Sequence, residues 1–195
     1  MVLSLLLAII LFVCFAMLIR EGLWNNVLTA VNALFAGLLA SSLWEPVATW
    51  LEGFVPSGTY LWDFISLWLI FCIAFLVLRT LTDLISRTRV RFKKPVDAAG
   101  GILFSLWVGW VLVSFTAMTL HTAPLAEHFL GFYAQPDQKI FLNMAAPDRQ
   151  WLGFVQQLSK GSMDRGNPFD PQGKFISTYA KRRNEYEGVQ GIFAE

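Results

Sequence analysis

The chain has 195 residues, of which 55% are hydrophobic and 15% charged, with a mean hydropathy of +0.52 and a net charge of +1. A soluble domain carries about a quarter charged residues, so this composition excludes an ordinary water-soluble globule and points to the bilayer. Its 8 Trp and 17 Phe suit rings that sit at headgroup level. The net charge says little as a sum; its distribution along the chain says more.

Residues 2–19 (VLSLLLAIILFVCFAMLI) carry no charge and make a helix of about 27 Å, enough to cross the hydrocarbon core. A cleaved signal peptide would call for a basic leading segment and a small-residue cleavage site. Neither is present, so a retained transmembrane helix is expected. Residues 23–43 are also uncharged, although Asn25, Asn26, Thr29 and Asn32 soften them. Residues 61–78 carry only Asp63, near their start, and residues 102–120 carry no charge. The expected fold class is therefore an all-α polytopic membrane protein with four transmembrane helices.

Between the second and third spans, Val47, Trp50, Leu51 and Phe54 recur at i, i+3, i+4, i+7. That spacing predicts a short amphipathic helix over about 46–54, lying in the interface plane. Lys and Arg placement orients the bundle. Residues 44–60 contain neither, only Glu45 and Glu52, whereas residues 79–94 contain Arg79, Arg87, Arg89, Arg91, Lys93 and Lys94. Arg20 sits in the first short loop. The positive-inside rule makes the first and third loops cytoplasmic, with Arg87, Arg89, Arg91, Lys93 and Lys94 as the anchor, and puts both termini outside the cytoplasm.

Residues 121–195 have the texture of a soluble tail, with eight Lys/Arg and eight Asp/Glu. Pro147-Asp148 opens a helix whose Trp151, Phe154, Val155 and Leu158 share one face and which Gly161 ends. A loop dense in Gly, Pro, Asn and Asp follows, then a more polar helix through FISTYAKRRNEYE. One apolar stripe cannot close a core, so this helical appendage is expected to pack on the membrane face or on a partner.

Two rows of small or polar residues recur at i, i+4. Asn25, Thr29, Ala33, Gly37 and Ser41 form one on the second span; Gly101, Ser105 and Gly109 form the other on the fourth. Such rows let helix backbones approach closely in lipid. The two faces are expected to meet each other, or to meet their copies in a homo-oligomer. Asn25, Thr29 and Asn32 can alternatively line a polar path, because polar groups inside membranes are often functional. In VRFKKPVDAAGG the basic half reads as a topological anchor. Pro95 and Asp97 start the fourth helix, with the Asp97 carboxylate taking orphan N–H groups of its first turn and pairing with Arg91, Lys93 and Lys94.

Cys14 and Cys72 lie in apolar runs and read as buried hydrophobes. His121 and His128, with Glu127 beside one of them, lack a third ligand at suitable spacing and read as surface or interfacial residues. No catalytic, metal or cofactor motif is present, so neither an enzyme nor a cofactor is expected. The expected partners are the lipid bilayer and either copies of the chain or other envelope proteins, not nucleic acid.

With these residues in view, the chain resembles the CvpA family, the colicin V production proteins of bacterial inner membranes. The family pattern is four apolar helices, an Arg-Gly signature after the first, and an Asp followed by spaced glycines opening the fourth. Arg20-Glu21-Gly22 stands for the first signature, with Glu21 interposed. Asp97 with Gly101, Ser105 and Gly109 stands for the second, with Ser105 at the middle small position. The resemblance covers roughly residues 1–120 and leaves the tail aside. It implies a role in export of a peptide toxin or in envelope integrity. Some members carry a trypsin-like protease after the fourth helix, outside the cytoplasm; this tail is too short for one.

Overall fold

The computed structural model describes residues 2–86, 90, 92–124, 139–161 and 169–192. Among them it contains α1 (Val2–Leu18), α2 (Leu23–Phe54), a 3₁₀ turn (Pro56–Gly58), α3 (Thr59–Ile85), α4 (Lys94–Thr122), α5 (Pro147–Lys160) and α6 (Phe175–Ile192). The described residues contain no strand, only an isolated bridge between Phe141 and Ala145. Helices α2, α3 and α4 are long and apolar enough to cross a membrane. Helix α1, at 17 residues, is a shorter apolar helix.

The segment expected as a separate interfacial helix is instead the end of α2, which runs unbroken through Pro46 to Phe54. Proline at that position removes one backbone hydrogen bond to the preceding turn. Trp44 and Ala48 on either side are buried in the main core and hold the helix together there. On its periodic apolar face, Trp50 and Phe54 are exposed and contact each other edge-on at 4.7 Å. Helix α3 likewise continues past residue 78 to Ile85. Arg79 stays within it because its guanidinium finds partners on α2, described below. Helix α4 begins at Lys94, ahead of its apolar run, with Pro95 in its first turn where the missing N–H costs nothing.

Packing runs α1 on α4, α4 on α2 and α2 on α3, with α3 also touching α4. Helix α2 presents an alanine-rich stripe of Ala33, Ala36 and Ala40, continued by Trp44 and Ala48. Small residues let the backbones close up where lipid supplies no hydrophobic drive. Phe115 of α4 fills the centre, its ring 4.6 Å from Phe71 and 5.6 Å from both Trp68 and Trp151. A smaller cluster joins Leu3 and Leu7 of α1 to Val113 and Ala117 of α4, with Ile140 of the tail.

The tail folds back onto the bundle. Trp151, Val155, Phe175, Ile176 and Tyr179 all enter the main core. Helix α5 starts at Pro147 and ends against Gly161, the two residues that the sequence marks.

At Gly109 a β-carbon would lie 3.5 Å from Cys14 Cβ, with only the flexible end of Leu11 nearer than the backbone. Cβ atoms in disulfides are about 3.5–4.5 Å apart. Gly109→Cys is therefore expected to crosslink to Cys14 under molecular iodine, which partitions into the bilayer and oxidises thiols there, read as a disulfide-linked peptide by mass spectrometry. A free thiol at position 109 after oxidation would overturn the packing of α1 on α4.

Candidate functional site

The turn after α1 meets the start of α4. Gly22 has φ +82°, a conformation that L side chains rarely adopt. A β-carbon there would also come within 3.3 Å of an Asp97 carboxylate oxygen. Glycine is thus required twice, by the backbone and by its neighbour. Gly22 provides no side chain to cap α2; instead Asp97, in the first turn of α4, accepts the Leu23 N–H at 2.9 Å. The sequence led us to expect Asp97 to cap its own helix and to pair with basic neighbours. It caps α2 from across the interface, and no ion pair of Asp97 occurs among the described residues.

Asn26 completes the junction. It is 0% exposed, and its Nδ2 donates to Leu18 O and to Gly101 O, each at 3.0 Å. One side chain thereby ties the end of α1 and the first turns of α4 to α2. Gly101 faces the turn itself: a β-carbon built on it would lie 3.7 Å from Gly22 C and from Leu23 N. Ser105 is buried and returns its hydroxyl to Ile102 O at 2.8 Å. The sequence reading noted Asn26 only as a polar interruption. Its role depends on a partner 75 positions away, which no local pattern signals.

Asn25, Thr29 and Asn32 face α3. Arg79 donates to Asn25 Oδ1 at 2.6 Å, to Thr29 Oγ1 at 2.9 Å and to Asp83 at 3.1 Å. Asn25 Nδ2 donates in turn to Glu21 at 2.7 Å, and Asn32 Nδ2 to Thr82 Oγ1 at 2.9 Å. The polar row is therefore occupied by α3 and by Glu21.

The rest of that row belongs to the tail. A β-carbon on Gly37 would lie 2.5 Å from the Trp151 ring, and Ser41 Oγ accepts the Trp151 Nε1–H at 3.2 Å. Ala33 lies in the main core. The two small-residue faces thus do not serve each other as expected: Gly101 takes the α1–α2 turn, Gly109 takes α1, and Gly37 and Ser41 take α5.

Of the anchor residues, Lys93 and Lys94 are exposed at the start of α4, and Arg20 is exposed after α1. Arg87, Arg89 and Arg91 lie outside the described residues, as do Glu127 and His128. His121 is not a surface residue. It is 2% exposed, with Nε2 2.9 Å from Asp148 Oδ2, so that α4 holds the first turn of α5.

Nearby, Asp63 at the start of α3 accepts the Tyr179 hydroxyl at 2.9 Å and the Arg182 guanidinium. Burial, then the Asp63 charge, pushes the Tyr179 phenol well above its ordinary pKa, so it stays a neutral donor. Among the described residues no group of His, Cys, Asp and Glu can hold a metal ion.

The arrangement can bind helix to helix. The two sequence signatures, far apart in the chain, become one capped junction of α1, α2 and α4. A family model described as Colicin V production protein matches residues 3–134, more than half of the chain and all of this junction. No curated protein and no solved structure matches.

Replacing Asp97 by Ala leaves the start of α2 uncapped and is expected to cost about 1 kcal/mol. Asp97→Asn, which keeps an acceptor oxygen, should cost less. Unfolding in mixed micelles measures both; equal losses would show that the cap is not the cause. Tyr179→Phe removes the neutral donor to Asp63 and is expected to cost about 1 kcal/mol. Because the folded phenol pKa is raised, its contribution is full below about pH 10 and falls as pH rises beyond it. Tyr179→Phe should flatten that alkaline fall, read as protease release of the tail across about pH 8–11.

Proposed function

The chain belongs to the colicin V production protein family, and on that premise we propose that it is a non-enzymatic scaffold or accessory factor of the bacterial inner membrane, acting in peptide export or envelope homeostasis. The observation that carries this reading is the use made of the polar side chains within the spans. Asn25, Asn26, Thr29 and Asn32 each bind another helix. Polar groups deployed as interhelical bonds build a fixed platform, whereas a carrier keeps them for its cargo.

In this reading α1 also spans the bilayer, at the short end of the usual range, and makes four spans with α2, α3 and α4. The loops after α1 and α3 face the cytoplasm, where Arg20, Lys93, Lys94 and the arginines at 87, 89 and 91 favour the anionic leaflet. The tail then lies outside the cytoplasm, bound to the bundle and placed to meet envelope proteins. Copies of the chain and other envelope proteins are the proposed partners.

The competing reading is a small transporter or channel subunit with a path along Asn25, Thr29 and Asn32. Two measurements separate them. Protein reconstituted in vesicles is expected to give no solute or ion flux above protein-free lipid. Crosslinking in native membranes followed by affinity purification is expected to recover the same envelope protein in repeated preparations. Flux that disappears with Asn32→Leu would overturn the scaffold.

A further inference from the structure

The tail reaches deeper than a surface appendage. A hydrocarbon core takes about 20 helical residues. Slid anywhere along α4 (Lys94–Thr122), a window of about that length always contains residues 103–113. Slid along α2 (Leu23–Phe54), it always contains residues 35–42. Helix tilt lengthens the window and enlarges both common segments. With a span as short as the 17 residues of α1, the common segments are residues 106–110 and 38–39, so Trp110 is at hydrocarbon depth however the bundle sits in the bilayer, and Gly37 lies one residue from that depth.

The tail touches Trp110 and residues close to both segments. Trp110 Nε1–H donates to Gln150 Oε1 at 3.0 Å, and Phe141 meets the Trp110 ring edge-on at 5.2 Å. Ile140 packs in the cluster of Val113, and Trp151 fills the space over Gly37 while donating to Ser41.

Two features at that depth do not tolerate lipid. The first is the outer face of α5, where Gln150, bonded to Trp110, is exposed together with Gly153, Phe154 and Gln157, while Trp151 and Val155 are buried beneath. The second is the turn from Phe141 to Ala145. There Leu142 and Asn143 have φ of 50° and 54°, and the Asn143 amide is exposed between the apolar Leu142 and Met144. Irregular backbone and amide side chains occur at membrane depth only where protein or water surrounds them.

We infer that α5 and the Phe141–Ala145 turn line a water-filled vestibule that enters the bilayer from the tail side and reaches the level of Trp110. It admits water and small hydrophilic solutes along the amide-rich face of α5 and ends on the packed rings of Trp110, Phe115 and Trp151. The vestibule meets α2 at Gly37 and Ser41, further along the row whose Asn25 and Thr29 are occupied by Arg79 of α3. It rests on α2 and α4 crossing the bilayer and does not depend on the scaffold role.

Thiol reactivity tests this, because the attacking thiolate forms only in water. The full chain with Cys14→Ala and Cys72→Ala is placed in lipid nanodiscs, where both membrane faces are open. Single cysteines at Asn143 and Gln150 then meet a charged methanethiosulfonate reagent. Leu39→Cys, exposed on α2 within the common segment, reports lipid, and Lys181→Cys, exposed on α6, reports water. The vestibule predicts that both test positions react at least tenfold faster than Leu39→Cys. Rates as slow as Leu39→Cys, or protection from neutral and charged reagents alike, would overturn it. Asn143→Cys leaves the Trp110–Gln150 bond intact, so it carries the test if Gln150→Cys is unstable.

Discussion

Helix α2 starts with backbone N–H groups that its own segment does not cap, and the Asp97 carboxylate of α4 takes the first of them. Orphan groups at a helix start are costly wherever water is scarce. Satisfying this one from α4 fixes where α4 must begin, how closely the α1–α2 turn must approach it, and why residue 22 must be glycine. Asn26 reinforces the same junction through two backbone carbonyls. Once these helices are set, Gly109 brings α1 onto α4, and the alanine stripe of α2 closes on α3 and on Phe115. The bundle is organised outward from this corner.

Its two ends are held by different means. At the Asp97 end, hydrogen bonds and close backbone contact hold the helices, with Arg79 stitching α3 to α2. At the other end the tail supplies the ties, through His121 and Asp148 for α5 and through Asp63, Tyr179 and Arg182 for α6. Helix α5 puts an aromatic residue where α2 has a glycine, so α2 and α4 are completed by a segment that follows them in the chain. A family member whose tail differed would have to fill the space over Gly37 in another way.

The membrane class and the long helices were legible from the sequence because each depends on local composition: uninterrupted apolar runs and a Pro-Asp helix start. The limits of α5 were legible for the same reason, since Pro147 and Gly161 act within one turn. The helix at 46–54 was expected as separate and is continuous with α2. Two turns of periodic apolar residues look alike whether their helix is separate or continuous, and the buried contacts of Trp44 and Ala48 decide between them.

What the sequence by itself determined is that this chain belongs in a bilayer and which residues are unusual there. Only the tertiary structure decided what those residues are for. Asp97 caps a helix 74 positions away, Asn25 and Thr29 answer Arg79, Gly37 makes room for Trp151, and His121 is buried against Asp148. The physical reason is that in lipid a polar or small side chain gains its meaning from the partner that satisfies or fills it. That partner lies on another helix, at a separation that no periodicity encodes.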